Sequence, residues 1–373
     1  MKIENGTVFT PAGFIRETLY VQDGLFVEED RYRHDGVAVD ASGMTVAPGL
    51  IDLHFHGCMG HDFCDGTTEA VAQIAHHMAS WGITAICPAT MTFSEDTLAN
   101  IMDAAAAFHP TADQAALVGI NMEGPFISPA KVGAQNPLYV TRADAGMFER
   151  LQERSGGLVK LVDVAPEEPG AMDFIRAESA NVRISIAHTC CTYDQAASAF
   201  DAGASQLTHL YNAMPGLHHR NPGPIAAAAE RAHVTPEVIC DGVHVHPAMV
   251  RLAFQLFGAQ RMVLISDTME AAGLPDGEYA LGGQPVTVRG NRATLHDGTL
   301  AGSNTNLARC LATAVQDMGV PLHSAITAAT VNPAKALGIF ESRGSLDPGK
   351  VADCVLLDNR TQVTQVILRG NLL

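Results

Sequence analysis

The sequence predicts an α/β fold: a (β/α)8 TIM-like barrel carrying a small β-sandwich domain formed from both chain ends. Three observations carry this expectation. Eight short apolar or β-branched runs alternate with stretches of helical period, polar residues close those runs, and turn-rich β-type segments occupy both chain ends. The runs lie at Leu50–His56, Ile83–Thr90, Leu117–Glu123, Leu158–Ala165, Val182–His188, Gln206–Leu210, Glu237–Val243 and Arg261–Asp267. Between them, Val71, Ile74, Ala75 and Met78 recur at i, i+3, i+4, i+7, as do Leu98, Ile101, Met102 and Ala105. That spacing buries one face of a helix. Ser94 ahead of Glu95 and Asp96 predicts a helix start, with a capping oxygen and acidic charge at the positive end of the dipole.

Strand, helix, strand at intervals of roughly 30 residues implies right-handed βαβ units and a parallel sheet. Eight such strands over about 220 residues fit a closed barrel better than an open doubly wound sheet. The chain has no G-x-G-x-x-G and no G-x-x-x-x-G-K-[ST], so the open nucleotide-binding alternative lacks its usual support. Residues 1–46 and 343–373 alternate short strands with turns, at Asn5-Gly6, Asp23-Gly24, Asp35-Gly36 and Ser42-Gly43 in the first piece. They are expected to pair into one small β domain flanking a barrel at 47–342. Residues 276–300 read as an inserted β-hairpin region, followed by helical stretches around 304–318 and 321–337.

Composition narrows the function. In 373 residues, 23 Lys+Arg against 40 Asp+Glu leave a formal charge of −17, with 47% hydrophobic and 17% charged residues. Such a chain can bury a large core and is not disordered. Its acidity makes it a poor partner for nucleic acid or an anionic membrane. No apolar run reaches the ~18–20 residues of a membrane span, and MKIENGTVFTPAGF lacks the apolar stretch of a secretory signal, so a cytoplasmic protein is expected. Eight Cys without a repeating spacing read as reduced thiols.

The chemistry lies at the ends of the runs. His54 and His56, two apart in LIDLHFHG, share one face of the first strand. The third run ends in Glu123, the fifth in His188 and the eighth in Asp267; the sixth contains His209 and the seventh runs into His244. C-terminal strand ends of a parallel barrel converge on one mouth. His54, His56, His188 and His209 with Glu123 and Asp267 therefore form a site for a divalent transition metal, with N and O donors that suit Zn, Fe, Mn or Co. His76-His77 is expected on a helix surface, and Cys58, Cys64, Cys190 and Cys191 are expected as small buried side chains rather than ligands. No G-x-S-x-G or H-E-x-x-H occurs, which leaves serine-hydrolase and zincin readings without their motifs.

The HxH, the His residues of the fifth and sixth runs and the Asp of the eighth resemble the amidohydrolase superfamily. Within it, MEGPF (Met122–Phe126), AHTCCTYDQA (Ala187–Ala196), THLYNAM (Thr208–Met214), HHRNPG (His218–Gly223), DGVHVHP (Asp241–Pro247), SDTMEAAG (Ser266–Gly273) and SLDPGKVADCVLLD (Ser345–Asp358) resemble the N-acetylglucosamine-6-phosphate deacetylase family. The resemblance covers nearly the whole chain. It implies metal-dependent hydrolysis of an N-acetylated sugar phosphate to acetate and the amino sugar phosphate. Glu123, His188 and His209 match the ligands found throughout that family, and His54 and His56 match a second position that only some members keep. One or two ions per subunit follow, with Glu123 as a bridge and Asp267 near the first.

By the same resemblance, Asp267 is the catalytic acid and base and His244 binds the substrate near the scissile amide. Asn212 and Ala213, through backbone N–H groups, and Arg220 match the phosphate grip, and Gln135 stands where other members carry His or Gln to contact sugar or phosphate. A homodimer is implied, with Arg220 reaching into the neighbouring subunit's site. An acidic chain repels an anionic substrate at long range, and His218-His219-Arg220 would supply local positive charge. The alternative reading is a deacetylase of another sugar phosphate, such as N-acetylgalactosamine-6-phosphate.

Overall fold

A computed structural model of the chain describes residues 1–34 and 36–373. Its centre is a set of parallel strands: β1 (Leu50–Asp52), β2 (Ile83–Ile86), β3 (Ile120–Met122), β4 (Val159–Val164), β5 (Arg183–Ile186), β6 (Gln206–Leu207), β7 (Thr235–Ile239) and β8 (Val263–Ile265). Strands β3 to β8 pair in sequence order in one parallel sheet, and β1 and β2 pair parallel in another that also holds Ala116–Leu117. The two sheets meet at both seams. An Ala89–Asn121 bridge links the segment after β2 to β3, and the Asp267 N–H donates to the His54 carbonyl at 3.0 Å, just beyond β8 and β1. The fold is therefore α/β with parallel strands in sequence order.

Helices lie between consecutive strands because their apolar stripes need the sheet's outer face. Helix α1 (Thr68–Ser80) follows β1 and buries Val71, Ile74, Ala75 and Met78; α2 (Glu95–Ala107) follows β2 and buries Leu98, Ile101, Met102 and Ala105. Each large aliphatic side chain so buried contributes about 1.5–3 kcal/mol. The Ser94 hydroxyl accepts the Thr97 N–H at 3.3 Å, a cap whose loss costs about 1 kcal/mol. His76 and His77 lie on α1, the first exposed and the second half-buried. The stretch expected as one helix over 321–337 is two, Leu322–Ala329 and Val331–Ala336. Pro333 has no N–H, and its ring would meet the Ala329 carbonyl in a continuous helix.

The insertion after β8 is a three-stranded antiparallel sheet, Gly277–Leu281, Gln284–Arg289 and Arg292–Thr294. At the chain ends, Thr45–Pro48 is the link between the two termini: it pairs with Thr7–Thr10 on one side and Cys354–Leu357 on the other. A second sheet orders Leu25–Val27, Leu19–Gln22, Lys2–Glu4 and Ala38–Asp40. Ile3, Val8, Val21, Phe26, Val46, Leu356 and Ile367 pack in one apolar cluster shared by both sheets. Asn5 and Asp23 adopt left-handed φ of 67° and 53°, as tight turns there require. The expected Asp35-Gly36 turn includes Asp35, which lies outside the described residues. Among the described residues no helix is long and apolar enough to cross a membrane.

Candidate active site

The hydrogen-bonded ladders are shorter than the apolar runs, and the chemistry sits in the difference. β1 stops at Asp52, β5 at Ile186, β6 at Leu207 and β8 at Ile265. His54, His188, His209 and Asp267 each follow two residues later. His54 and His56 are therefore not in the ladder itself but in the segment just past it, where the His56 N–H donates to the Thr268 carbonyl at 2.7 Å. His188, His209 and Asp267 have φ of 41°, 27° and 50°. A left-handed residue with a side chain is strained, ends extended pairing and re-aims the side chain. Three such residues lie at one mouth, and strain of this kind makes it a candidate functional site.

Glu123, just past β3, is the hub. Its Oε1 lies 3.0 Å from His188 Nε2, 3.2 Å from His209 Nε2 and 3.5 Å from His54 Nε2; its Oε2 lies 3.3 Å from His56 Nε2. Asp267 Oδ1 lies 3.3 Å from His56 Nε2 and 3.8 Å from His54 Nε2. All six side chains are buried. Two groups of ligand atoms fall within 4.8 Å of one another: Glu123, His188 and His209, and separately His54, His56 and Asp267. The structure thus brings together every metal-ligand candidate of the sequence, and it sets Asp267 beside the HxH rather than in the Glu123 group.

Burial alone would raise the Glu123 carboxyl, yet the charge of His54 and the hydrogen bonds of His188 and His209 hold it well below the usual carboxylate range. Asp267 is likewise lowered, because His56 and His54 outweigh its burial. His54 and His56 are raised against the effect of burial by Glu123, Glu237 and Asp267. The negative field that favours protons on these nitrogens also favours a cation, which must displace those protons to bind. His188 Nδ1–H donates to the Lys131 carbonyl at 2.8 Å, which leaves Nε2 to face Glu123. His54 Nε2 is buried and makes no hydrogen bond among the described residues. Buried imidazole nitrogens beside two carboxylates, with His54 Nε2, His56 Nδ1 and His209 Nδ1 left without partners among the described residues, fit a divalent transition metal.

The other candidates are distributed unevenly. A cavity of about 490 Å³ opens onto the cluster and is lined by His56, Glu123, His188, His209, His244 and Asp267, with Gln135, Asn212 and Ala213 also on its wall. Asp297, Thr299 and Leu300, from the inserted segment, close one side. His244 Nδ1–H donates to Asp241 Oδ2 at 2.7 Å; burial opposes the charged ring, but the Asp241 hydrogen bond and charge win and raise its pKa. The Asn212 N–H, expected to grip phosphate, donates instead to the His209 carbonyl at 2.9 Å, and the Asn212 side-chain amide donates to the His209 and Leu210 carbonyls. These bonds hold a tight turn at the cavity wall. The Ala213 N–H makes no hydrogen bond among the described residues, and Ala213 has φ 49°.

Arg220 is exposed and stands outside this cavity, in a separate hollow with Cys190, Tyr193 and Pro222. No cysteine joins a metal-ligating group among the described residues. Sequence reasoning passed over Glu237, whose Oε2 lies 3.0 Å from His54 Nδ1, and gave Asp241 no role of its own. A charged residue inside the apolar run of β7 was the available signal for Glu237.

Comparison with known proteins agrees with this geometry. An amidohydrolase family model matches residues 45–373. The chain is 38% identical over 333 residues to the N-acetylglucosamine-6-phosphate deacetylase of Bacillus subtilis (strain 168), covering 88% of this chain and 84% of that protein. It is 36% identical over 329 residues to the N-acetylgalactosamine-6-phosphate deacetylase of Escherichia coli O157:H7, covering 88% and 87%. The crystal structure of N-acetyl-D-glucosamine-6-phosphate deacetylase from Mycobacterium smegmatis superposes with a TM-score of 0.92 at 33% identity, covering 100% of both chains. With a matching family model, relatives aligned over most of its length and buried His, Glu and Asp groups at its strand ends, the chain belongs to the amidohydrolase family.

Proposed function

We infer that the protein hydrolyses the N-acetyl group of N-acetylglucosamine-6-phosphate, giving acetate and glucosamine-6-phosphate. The observation that carries this reading is the buried carboxylate–imidazole cluster at the floor of a cavity of about 490 Å³, in a chain 38% identical to an enzyme of that name. N-acetylgalactosamine-6-phosphate is not favoured, since relatives at 38% and 33% identity bear the glucosamine name against the one at 36%. The parallel strands are read as one closed (β/α)8 barrel over 47–342, with 1–46 and 343–373 as a small β-sandwich domain, in a cytoplasmic enzyme.

In this reading Glu123, His188 and His209 would hold one divalent ion, and His54 and His56 with Asp267 would hold a second. A bound ion would polarise the acetyl carbonyl and make a water more acidic. Asp267 accepts the proton of the water whose oxygen bonds to the acyl carbon, then returns it to the nitrogen as the C–N bond breaks. His244, its Nδ1 held by Asp241, offers Nε2–H to the developing oxyanion; Asp241 favours the doubly protonated ring that this needs. The Asn212 and Ala213 N–H groups, Arg220 and Gln135 are assigned to the sugar phosphate, with Arg220 supplied across a homodimer. Incubation with N-acetylglucosamine-6-phosphate should release acetate and amine in equal amounts, stop on chelation and resume on adding back metal. Faster turnover of the galactosamine epimer, or none of either, would overturn this reading.

A further inference from the structure

Glu237 lies in the middle of β7, fully buried, in the sequence TPEVI. A carboxylate there has lost its water and needs partners. It has several, and they converge on the metal cluster. Its Oε2 accepts from His54 Nδ1 at 3.0 Å and from the His209 N–H at 3.3 Å. Its Oε1 accepts from the Gln206 side-chain amide, and its backbone carbonyl accepts from the Leu210 N–H at 2.8 Å. Among the described residues His54 is its only ionic partner within 4.0 Å.

The consequence for His54 follows from tautomers. An ionised carboxylate only accepts, so it favours the hydrogen on Nδ1, and in the neutral, metal-competent ring this leaves the lone pair on Nε2. That Nε2 is the buried nitrogen left without a hydrogen-bond partner beside Glu123 and Asp267. Asn121 Nδ2 also stands 3.3 Å from His54 Nδ1. Because Asn121 Oδ1 has no partner, exchanging the amide's ends would turn this contact into a second acceptor for the same hydrogen.

We propose that Glu237 is a positioning residue for the metal position formed by His54, His56 and Asp267. It fixes His54 in the tautomer that presents Nε2, and it places a buried negative charge behind the ligand to offset the ion. Through the His209 N–H it also ties this position to the neighbouring one. The proposal rests on the reading of His54 as a ligand, and the test separates the two.

Apo-protein of the wild type, His54→Ala, Glu237→Ala and Glu237→Gln is titrated with Co(II), followed by visible absorption and by counting bound cobalt. His54→Ala defines the component that belongs to His54. Glu237→Ala should weaken that component by about 10–100-fold. Glu237→Gln, whose amide oxygen can still accept from Nδ1–H, should weaken it by less. Near-UV circular dichroism and Tm report folding, which a purely structural role would disturb without moving the cobalt spectrum. Wild-type affinity for the His54 component in a folded Glu237→Ala protein overturns the proposal. If that variant does not fold, unchanged affinity in Glu237→Gln overturns it. Absence of any His54-sensitive component overturns the ligand reading and the proposal together.

Discussion

Gln135 donates its side-chain amide to Glu123 Oε2 at 2.8 Å, while its own oxygen accepts the Thr92 N–H at 2.6 Å. Both ends of the amide are engaged and the side chain is buried, so Gln135 holds the hub carboxylate at the cavity wall. Gln135→Ala should lower metal affinity or kcat by about 10–100-fold. The check is metal content and kinetics on the same preparation, and an effect confined to KM would point to sugar contact alone.

The two ligand groups should separate on mutation. His188→Ala removes an imidazole 3.0 Å from Glu123 and should abolish one ion and turnover together. His54→Ala should reduce stoichiometry with a smaller kinetic loss. Elemental analysis after dialysis decides, and full metal with full activity in His188→Ala contradicts the assignment.

Asp267→Asn should cut kcat by about 10³-fold or more with modest change in KM, since the amide cannot accept the water proton. Because Asp267 also lies 3.3 Å from His56, metal content must be measured alongside. A near-normal kcat with unchanged metal would refute the acid/base role.

Arg220 stands outside the cavity of its own chain, and the proposal that it grips phosphate from a neighbouring subunit is tested by mixing subunits. Arg220→Met and Asp267→Asn should each be nearly inactive alone. Random remixing makes half the dimers heterodimers with one intact site of two, so about a quarter of wild-type activity should return. No recovery, with subunit exchange demonstrated, sinks the shared site.

Thiol reactivity reports the fold directly. Cys190, expected to be buried, is exposed because it lies in the loop between β5 and the next helix, whereas burial pushes the Cys58 and Cys191 thiols up to about 12. A thiol of pKa near 12 is about one part in 10⁴ thiolate at pH 8, and the thiolate is the reactive form. One fast-reacting thiol is expected in the native protein at pH 8, and all eight after denaturation. Several fast thiols in the native protein would contradict this burial.

The sequence by itself determined the parallel α/β plan and predicted the set of candidate ligands. Both are written locally: helical stripes such as Leu98, Ile101, Met102 and Ala105 follow the 3.6 period, and polar residues at the ends of apolar runs announce a mouth. The family resemblance divided the ligands into Glu123, His188 and His209 on one side and His54 and His56 on the other; that Asp267 lies 3.3 Å from His56 came only from the structure, because it depends on which strand ends become neighbours. Nor did the sequence show the turn in which the Asn212 N–H donates to the His209 carbonyl, a matter of backbone dihedrals rather than residue type. Tertiary structure alone decided the supporting contacts. Glu237 and His54 are 183 residues apart, and Gln135 reaches Glu123 from a loop 12 residues on. No local periodicity records such pairs; they exist because burying a carboxylate or an imidazole demands a hydrogen-bond partner, and the fold supplies whichever side chain lies across the interior.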